Sequence, residues 1–449
     1  MKFALILFSL CVVANARTSF MDSVKRLKWG DLEVVWVEDD KFPNFTASLY
    51  YQDGALSDSI PGLTQATLDQ LSSGTSKEGQ KQIAEFFEFY GANVRDTVTH
   101  EYSIVTLQGL TKDIRPLMGK VCELMNDATY PASELTSYIN RSKSNLNNLV
   151  TSHSTLADRV FRQLSLNGTP YSSPVEGNLK SLGELKPQLL KERLKQLNSV
   201  KKVLYLAGPS DVLSMKEIIQ KDCNWTNIST QKSLSLNKPE SQSAIYLLPV
   251  KGANQAQIRI GRYVTLEEVA GKHDLFNFLA GYMGGGFTSK LVQELRVKRG
   301  LTYSASAYVS MQRDYGRAGI MTFSKNETAA EAISIVRDSF SEMSDAGKIN
   351  PNEFKHQQGH QIGGFAFGFE ETSAFLGRIM LYDHQGRKLQ ELADFPDRMA
   401  RLTPNELAAA DMEVFPWDKL SIVVVGDLSL EKSLSRIRPV RVLKLEDYL

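Results

Sequence analysis

Three cysteines in 449 residues are too few to build a disulfide scaffold, so this chain has to fold on its apolar core. Neither sign of charge is in excess: 52 Lys and Arg stand against 51 Asp and Glu. That balance excludes a whole-protein basic surface for nucleic acid or anionic lipid. Beyond the N-terminus no run approaches about 20 apolar residues, so no membrane span is expected. Reactive motifs are also scarce. Gly284-Gly285-Gly286 is not followed by Gly-Lys-Ser/Thr and is no phosphate loop, and there is no G-x-S-x-G elbow and no paired reactive cysteine.

Histidine is equally sparse, with six in the chain. His100-Glu101 begins like the H-E-x-x-H zinc motif, but position 104 is Ile104, and the dipeptide reads as a hairpin turn. His356 and His360 have the spacing of two ligands on one helical face. Gln357, Gln358 and Gly359 between them supply no base and no third ligand is evident, so they read as an exposed or interface pair. His153, His273 and His384 are isolated and take structural roles by default.

What the chain does have begins with MKFALILFSLCVVANA: one early Lys, an apolar run from Phe3 to Val13, and Ala14 and Ala16 in an A-x-A arrangement. It reads as a secretory signal over residues 1–16, cleaved after Ala16, which puts the mature protein in the periplasm or outside the cell. Cys122 and Cys223 then remain, and an oxidising compartment permits one bridge between them that sequence leaves open. The chain is long enough for two cores. Residues 227–243 (NISTQKSLSLNKPESQS) lack a sustained apolar period and read as a linker between domains at 17–226 and 244–449. The same order recurs on either side: strand pair, short helix, Gly-rich turn, then Thr-Ser-Lys at Thr75-Ser76-Lys77 and at Thr288-Ser289-Lys290. An offset of about 200 residues indicates a duplicated domain rather than a solenoid. Strands are expected near 32–37, 46–51, 93–99, 102–110, 202–207, 257–263, 302–311, 318–323 and 421–425. Helical blocks are expected over 114–166 and 329–382. Strand pairs followed by runs of helices predict an α+β fold, with helices packed on one face of a mostly antiparallel sheet.

One stretch carries most of the information. Gly284–Tyr308 (GGGFTSKLVQELRVKRGLTYSASAY) reads as a loop, a helix capped by Thr288 or Ser289 with Leu291, Val292 and Leu295 on its apolar face, a stop at Gly300, and a strand in which Tyr303, Ala305, Ala307 and Val309 share a face. Arg296 and Tyr303, seven positions apart, stand at the corner between helix and strand. On chemistry alone they read as a helix-end cation and a half-buried strand aromatic.

This corner resembles the C-terminal signature of the pitrilysin-type, inverted-motif (M16) zinc peptidases, and GLTQATLDQLSSGTSKEG with IAEFFEFYGANVRDTVTHEYSIVTLQGL is similar to the segment that carries that family's metal. The resemblance covers almost the whole mature chain and implies two tandem α/β sandwich domains forming half of a clamshell. It also implies that Arg296 and Tyr303 bind substrate and the tetrahedral intermediate. The family's H-x-x-E-H holds zinc through two His, with Glu as general base. Aligned on Gly74-Thr75, the motif falls on Gln65-Ala66-Thr67-Leu68-Asp69: Gln65 and Asp69 replace the ligands and Leu68 the base. The third ligand, a Glu, should fall around Asn145–Asn148, where there is none. No zinc or other cofactor is therefore expected on this chain.

In the family's two-chain members, including the mitochondrial processing peptidases and bacterial pairs, one chain carries zinc and faces the other. By that resemblance the chain is expected to be the zinc-less subunit of a secreted heterodimer, supplying Arg296 and Tyr303 to a partner's zinc site and enclosing unfolded peptides. The alternative is a non-catalytic peptide-binding or structural scaffold, similar to the core subunits of the bc1 complex.

Overall fold

The computed structural model describes residues 21–223, Trp225 and residues 243–449, so the expected signal (residues 1–16) and the expected linker, Ser243 apart, lie outside the described residues. The chain divides into two units whose boundaries interleave. The first comprises the chain up to Lys143, Val175–Leu234 and Phe367–Ala393; the second comprises Ser144–Pro174, Ser235–Ala366 and Asp394–Leu449. Each half of the sequence thus lends one helical segment to the other unit.

The strands of the first unit are β1 (Val24–Trp29), β2 (Leu32–Glu38), β3 (Asn44–Tyr51), β4 (Asn93–Val98), β5 (Ser103–Leu110) and β6 (Lys202–Gly208), in the order β1-β2-β6-β3-β5-β4. Those of the second are β7 (Ile245–Pro249), β8 (Gln255–Val264), β9 (Ala305–Met311), β10 (Gly316–Lys325), β11 (Ser421–Gly426) and β12 (Val440–Val442), in the order β12-β7-β11-β8-β10-β9. The succession β2-β6-β3-β5-β4 has its counterpart in β7-β11-β8-β10-β9. In both, an early strand pairs in parallel with a late one, Val35 opposite Tyr205 and Leu247 opposite Val424, while the next three pairings are antiparallel. This is the α+β architecture expected, realised twice. Three strands escape the sequence reading: edge strands β1 and β12, where Lys25, Arg26, Lys28 and Arg441 interrupt the apolar signal, and β7, a short continuous apolar run without alternation.

The main helices are α1 (Leu63–Asp69), α2 (Gln80–Phe89), α3 (Ile114–Asp127), α4 (Ala132–Asn148), α5 (His153–Ser165), α6 (Pro187–Leu197), α7 (His273–Gly284), α8 (Ala329–Met343), α9 (Pro351–Phe365), α10 (Thr372–His384) and α11 (Pro404–Val414). In the second unit, alternate strand residues Ile245, Leu247, Ile258, Ile260, Ile422 and Val424 join one core with Phe276, Leu279, Ile333, Val336 and Leu407 from α7, α8 and α11. The opposite face, through Tyr246, Leu248, Val423 and Val425, is covered by Leu156, Val160 and Phe161 of α5. Each such fully buried side chain contributes roughly 1.5–3 kcal/mol. Gly261 permits this closeness, because a Cβ there would lie 2.1 Å from the Ala318 carbonyl oxygen and 2.9 Å from the Phe161 ring.

In the first unit α10 is fastened by polar groups. The Tyr50 hydroxyl lies 2.8 Å from His384 Nδ1, and His384 Nε2 lies 2.7 Å from Glu101 Oε2, with both His384 and Glu101 buried. Asp383 accepts from Arg26 at 2.7 and 3.1 Å and from the Tyr205 hydroxyl at 3.0 Å. His100 and Glu101 sit in the turn between β4 and β5, as the sequence indicated, and His384 finds its role as Glu101's partner. Cys122 in α3 is bridged to Cys223, 101 positions on, and both are buried.

Two stability predictions follow from buried charge. His384→Ala leaves the Glu101 carboxylate without this partner and is expected to cost about 3–5 kcal/mol in urea unfolding, against under about 1 kcal/mol for exposed His356→Ala. Asp411 in α11 is fully buried, and burial pushes its carboxyl up to about 7 despite the Ser344 hydrogen bond. The single Ser344 hydroxyl hydrogen cannot serve both the Phe340 carbonyl and Asp411 Oδ2, each 2.9 Å away, so a protonated Asp411 completes the set. A folded value above the unfolded one gives stability that is full below about pH 4 and lost as pH rises to about 7. Asp411→Asn should flatten that part of the stability-versus-pH curve; an unchanged slope would show the carboxyl does not hold its proton.

Candidate functional site

Helix α1, where the family's metal motif was expected to fall, is held at its first turn by a buried polar set. Asp58 accepts from the Thr64 backbone N–H at 3.0 and 3.1 Å, anchoring the first turn of α1. Arg193 of α6 donates to Thr64 Oγ1 at 2.7 Å, to Asp53 Oδ2 at 2.8 Å and to the Gly54 carbonyl at 2.9 Å. Burial raises Asp58 to about 6, with the Thr64 hydroxyl and then Arg193 opposing it.

Leu68 is 3% exposed and belongs to the core, so no base stands at that position. Gln65 and Asp69 face a polar cluster instead. The Gln65 amide donates to Asp96 Oδ2 at 3.1 Å and also hydrogen-bonds Asp69, which accepts from Tyr138 as well. Desolvation raises Asp69, opposed by those two hydrogen bonds and by the charge of Arg141. Desolvation and then the Asp69 charge lift Asp96 to about 6. Tyr138 is pushed up in turn, first by burial and then by Asp69. Gln65 thus bridges two carboxylates that repel one another, a place an amide can fill with two N–H donors and without a metal.

These residues do not fit zinc, which requires thiolate, imidazole or carboxylate ligands in a tetrahedral set. Asn145, Asn147 and Asn148, at the end of α4, offer amides where a carboxylate ligand was sought. Among the described residues no group of three or more His, Cys, Asp or Glu could hold a metal ion, and His356 and His360 are exposed on α9. Asp96, Tyr138 and Arg141 are participants that sequence spacing did not reveal. The alternation along edge strand β4 was the available signal, since Val94, Asp96 and Val98 share its less exposed side.

The second candidate lies in the second unit. The expected α-helix over 288–299 is instead a wider π-type turn, Val292–Val297. Lys298 N–H closes on the Gln293 carbonyl at 3.0 Å and Leu301 N–H on the Leu295 carbonyl at 2.8 Å. Neither expected cap forms, because the Ser289 hydroxyl donates to the Gly286 carbonyl at 2.6 Å, tightening the preceding loop. Gly300, at φ +64°, ends the turn as anticipated. Gly284 lets the end of α7 lie against β9, since a Cβ on it would come within 2.2 Å of the Ala307 nitrogen. The strand begins at Ala305 rather than Thr302. Thr302 is buried, its hydroxyl donating to the Ser304 carbonyl at 2.9 Å, and that pin turns Tyr303 outward to 77% exposure instead of half-burying it.

Arg296 lies with its guanidinium 5.0 Å from the ring centre of Phe287, itself 75% exposed. Its neighbours are neutralised differently: Glu294 accepts from Lys298 at 2.6 Å and Arg299 at 2.7 Å and lies 3.7 Å from Lys290. Among the described residues no carboxylate pairs with Arg296. A guanidinium resting on an aromatic face keeps its N–H edge available to oxygen acceptors. An outward phenol nearby in sequence adds a further donor.

Comparison with known proteins bears on both places. The profile described as "Peptidase M16 inactive domain" matches residues 195–359. A Streptomyces coelicolor protein named an uncharacterized zinc protease is 30% identical over 155 residues, 34% of this chain and 33% of that protein, so the match spans about a third of that relative. A Helicobacter pylori protein named "Non-peptidase homolog YmxG" is 21% identical over 413 residues, covering 89% of this chain and 93% of that one. The crystal structure of a peptidase M16 inactive domain from Pseudomonas fluorescens superposes with a TM-score of 0.80 at 19% identity, covering 94% of this chain and all of that one. Residues 195–359 thus match the peptidase M16 inactive domain, and the chain shares the fold of a solved M16 inactive domain over most of its length.

Proposed function

We propose that this chain is the zinc-less subunit of a secreted or periplasmic two-chain M16-type peptidase, and that Arg296 and Tyr303 act in trans on the peptide held at a partner's zinc site. The observation that carries this reading is the asymmetry between the two candidate places. The metal motif is overwritten by Gln65, Leu68 and Asp69, while Arg296 and Tyr303 are present at the family's spacing, Arg296 half-buried and without a carboxylate partner among the described residues and Tyr303 turned to solvent. A guanidinium and a phenol are suited to the peptide carbonyl and to the oxyanion that forms when it is attacked, whereas they can activate no water themselves. The buried Cys122–Cys223 bridge supports an oxidising compartment, in keeping with the signal-like N-terminus. Peptide substrates enter as extended, unfolded segments, by the family resemblance. No helix among the described residues is long and apolar enough to cross a membrane.

A second reading is a non-catalytic peptide-binding or structural protein of the same fold. The name of the Helicobacter pylori relative, a non-peptidase homolog covered over most of its length, favours it. In that case Arg296 and Tyr303 bind peptide without contributing to hydrolysis.

Co-expression with an M16 chain bearing H-x-x-E-H separates the two. Loss of one oxyanion donor costs about 100- to 1,000-fold in kcat, so Arg296→Ala should fall in that range and Tyr303→Phe by at least about tenfold, with KM less affected. Unchanged kcat in both variants would reject the in-trans role. Metal analysis gives an independent check: this chain, purified alone after exposure to zinc, should retain none, and one zinc per chain would contradict the reading of positions 65, 68 and 69.

A further inference from the structure

The stretch from Gly286 to Arg317 is locally basic in a nearly neutral chain. It contains Lys290, Arg296, Lys298, Arg299, Arg313 and Arg317 against only Glu294 and Asp314, while the whole chain sums to +1. Part of this charge is internally matched. Arg313 bonds Asp314 at 2.7 Å, and Lys290 reaches Glu342 at 2.6 Å. Lys298 and Arg299 converge on Glu294, which also lies 3.7 Å from Lys290 and can neutralise one of them, while Arg317 lies over the Tyr308 ring. Arg296 has the Phe287 ring and no carboxylate. The turn therefore presents four cations, Lys290, Arg296, Lys298 and Arg299, to two acids, Glu294 and Glu342. Lys298 and Arg299 are 60% and 40% exposed. A surplus of this kind, beside exposed Tyr303 and Phe287, has an electrostatic complement.

We propose that the peptides received at the Arg296–Tyr303 corner are acidic, with Asp or Glu side chains set against Lys298 and Arg299 while Arg296 and Tyr303 hold the backbone. This inference rests on the peptide-binding reading above and names its substrate class. Lys298 and Arg299 are then specificity residues, distinct from the pair that meets the carbonyl. Two solvent-exposed charge pairs give about tenfold discrimination at low ionic strength, and most of it is lost as salt shortens the screening length.

The test uses the full chain and fluorescein-labelled extended peptides of one apolar core flanked by Glu, Gln or Lys. Anisotropy is read at about 20 mM and about 500 mM salt. The Glu-flanked peptide should bind about tenfold tighter than the Gln-flanked one at low salt, the Lys-flanked one weakest, with the differences closing at high salt. K298Q/R299Q, at exposed positions, should remove that ratio and leave affinity for the Gln-flanked peptide within about twofold. R296A should weaken all three. If R296A weakens all three but K298Q/R299Q leaves the ratio intact, the acidic preference is wrong and the peptide-binding reading stands. If neither variant changes the binding of any peptide, that reading itself fails. A single-stranded oligonucleotide binding as tightly as the Glu-flanked peptide would mean that charge alone is read, and would also overturn the proposal.

Discussion

The first unit depends on one buried guanidinium. Arg193, 1% exposed, joins α6 to the start of α1 through Thr64 and to the end of β3 through Asp53 and Gly54. Burying that charge is favourable only because several oxygens answer it at once; breaking the set would leave Asp53 and Asp58 as uncompensated buried acids. The consequence is a helix α1 whose position is fixed, with Gln65 and Asp69 held toward Asp96 and Leu68 in the core. The two carboxylates that meet there, Asp69 and Asp96, are reconciled by an amide and a phenol rather than a cation.

In the second unit backbone geometry plays the comparable part. Gly284 brings the end of α7 onto β9, Gly300 ends the π-type turn, and the buried Thr302 hydroxyl turns Tyr303 to solvent. Those constraints leave Tyr303 exposed and Arg296 half-buried against the Phe287 ring, with the donors of both side chains uncommitted to the core.

Much of this was legible in the sequence. Alternating apolar residues located most central strands, β7 excepted, and recurrence of Thr-Ser-Lys at two places indicated two similar sheets, as found. The corner's composition located Arg296, Tyr303 and the glycine stop, and the missing His and Glu side chains could be read directly. What spacing could not give were relations across the chain: the exchange of α5 and α10 between units, Glu101 meeting His384, and Asp96 reaching Gln65 from another strand. Nor could it tell a π-type turn from an α-helix, because Leu291, Val292 and Leu295 satisfy either period. Tyr303 was misjudged for a local reason, since the strand pattern extends through Thr302 while its hydroxyl bonds delay the strand to Ala305.

The proposed division of catalysis between two chains has a direct consequence for stoichiometry. Titrating this chain into a fixed amount of a zinc-bearing M16 partner, and following hydrolysis of an unfolded peptide, measures it most plainly. Neither chain alone should turn over the peptide appreciably, and activity should rise with added chain and saturate at one equivalent. Activity of this chain by itself, or a partner whose rate is the same with and without it, would contradict the account.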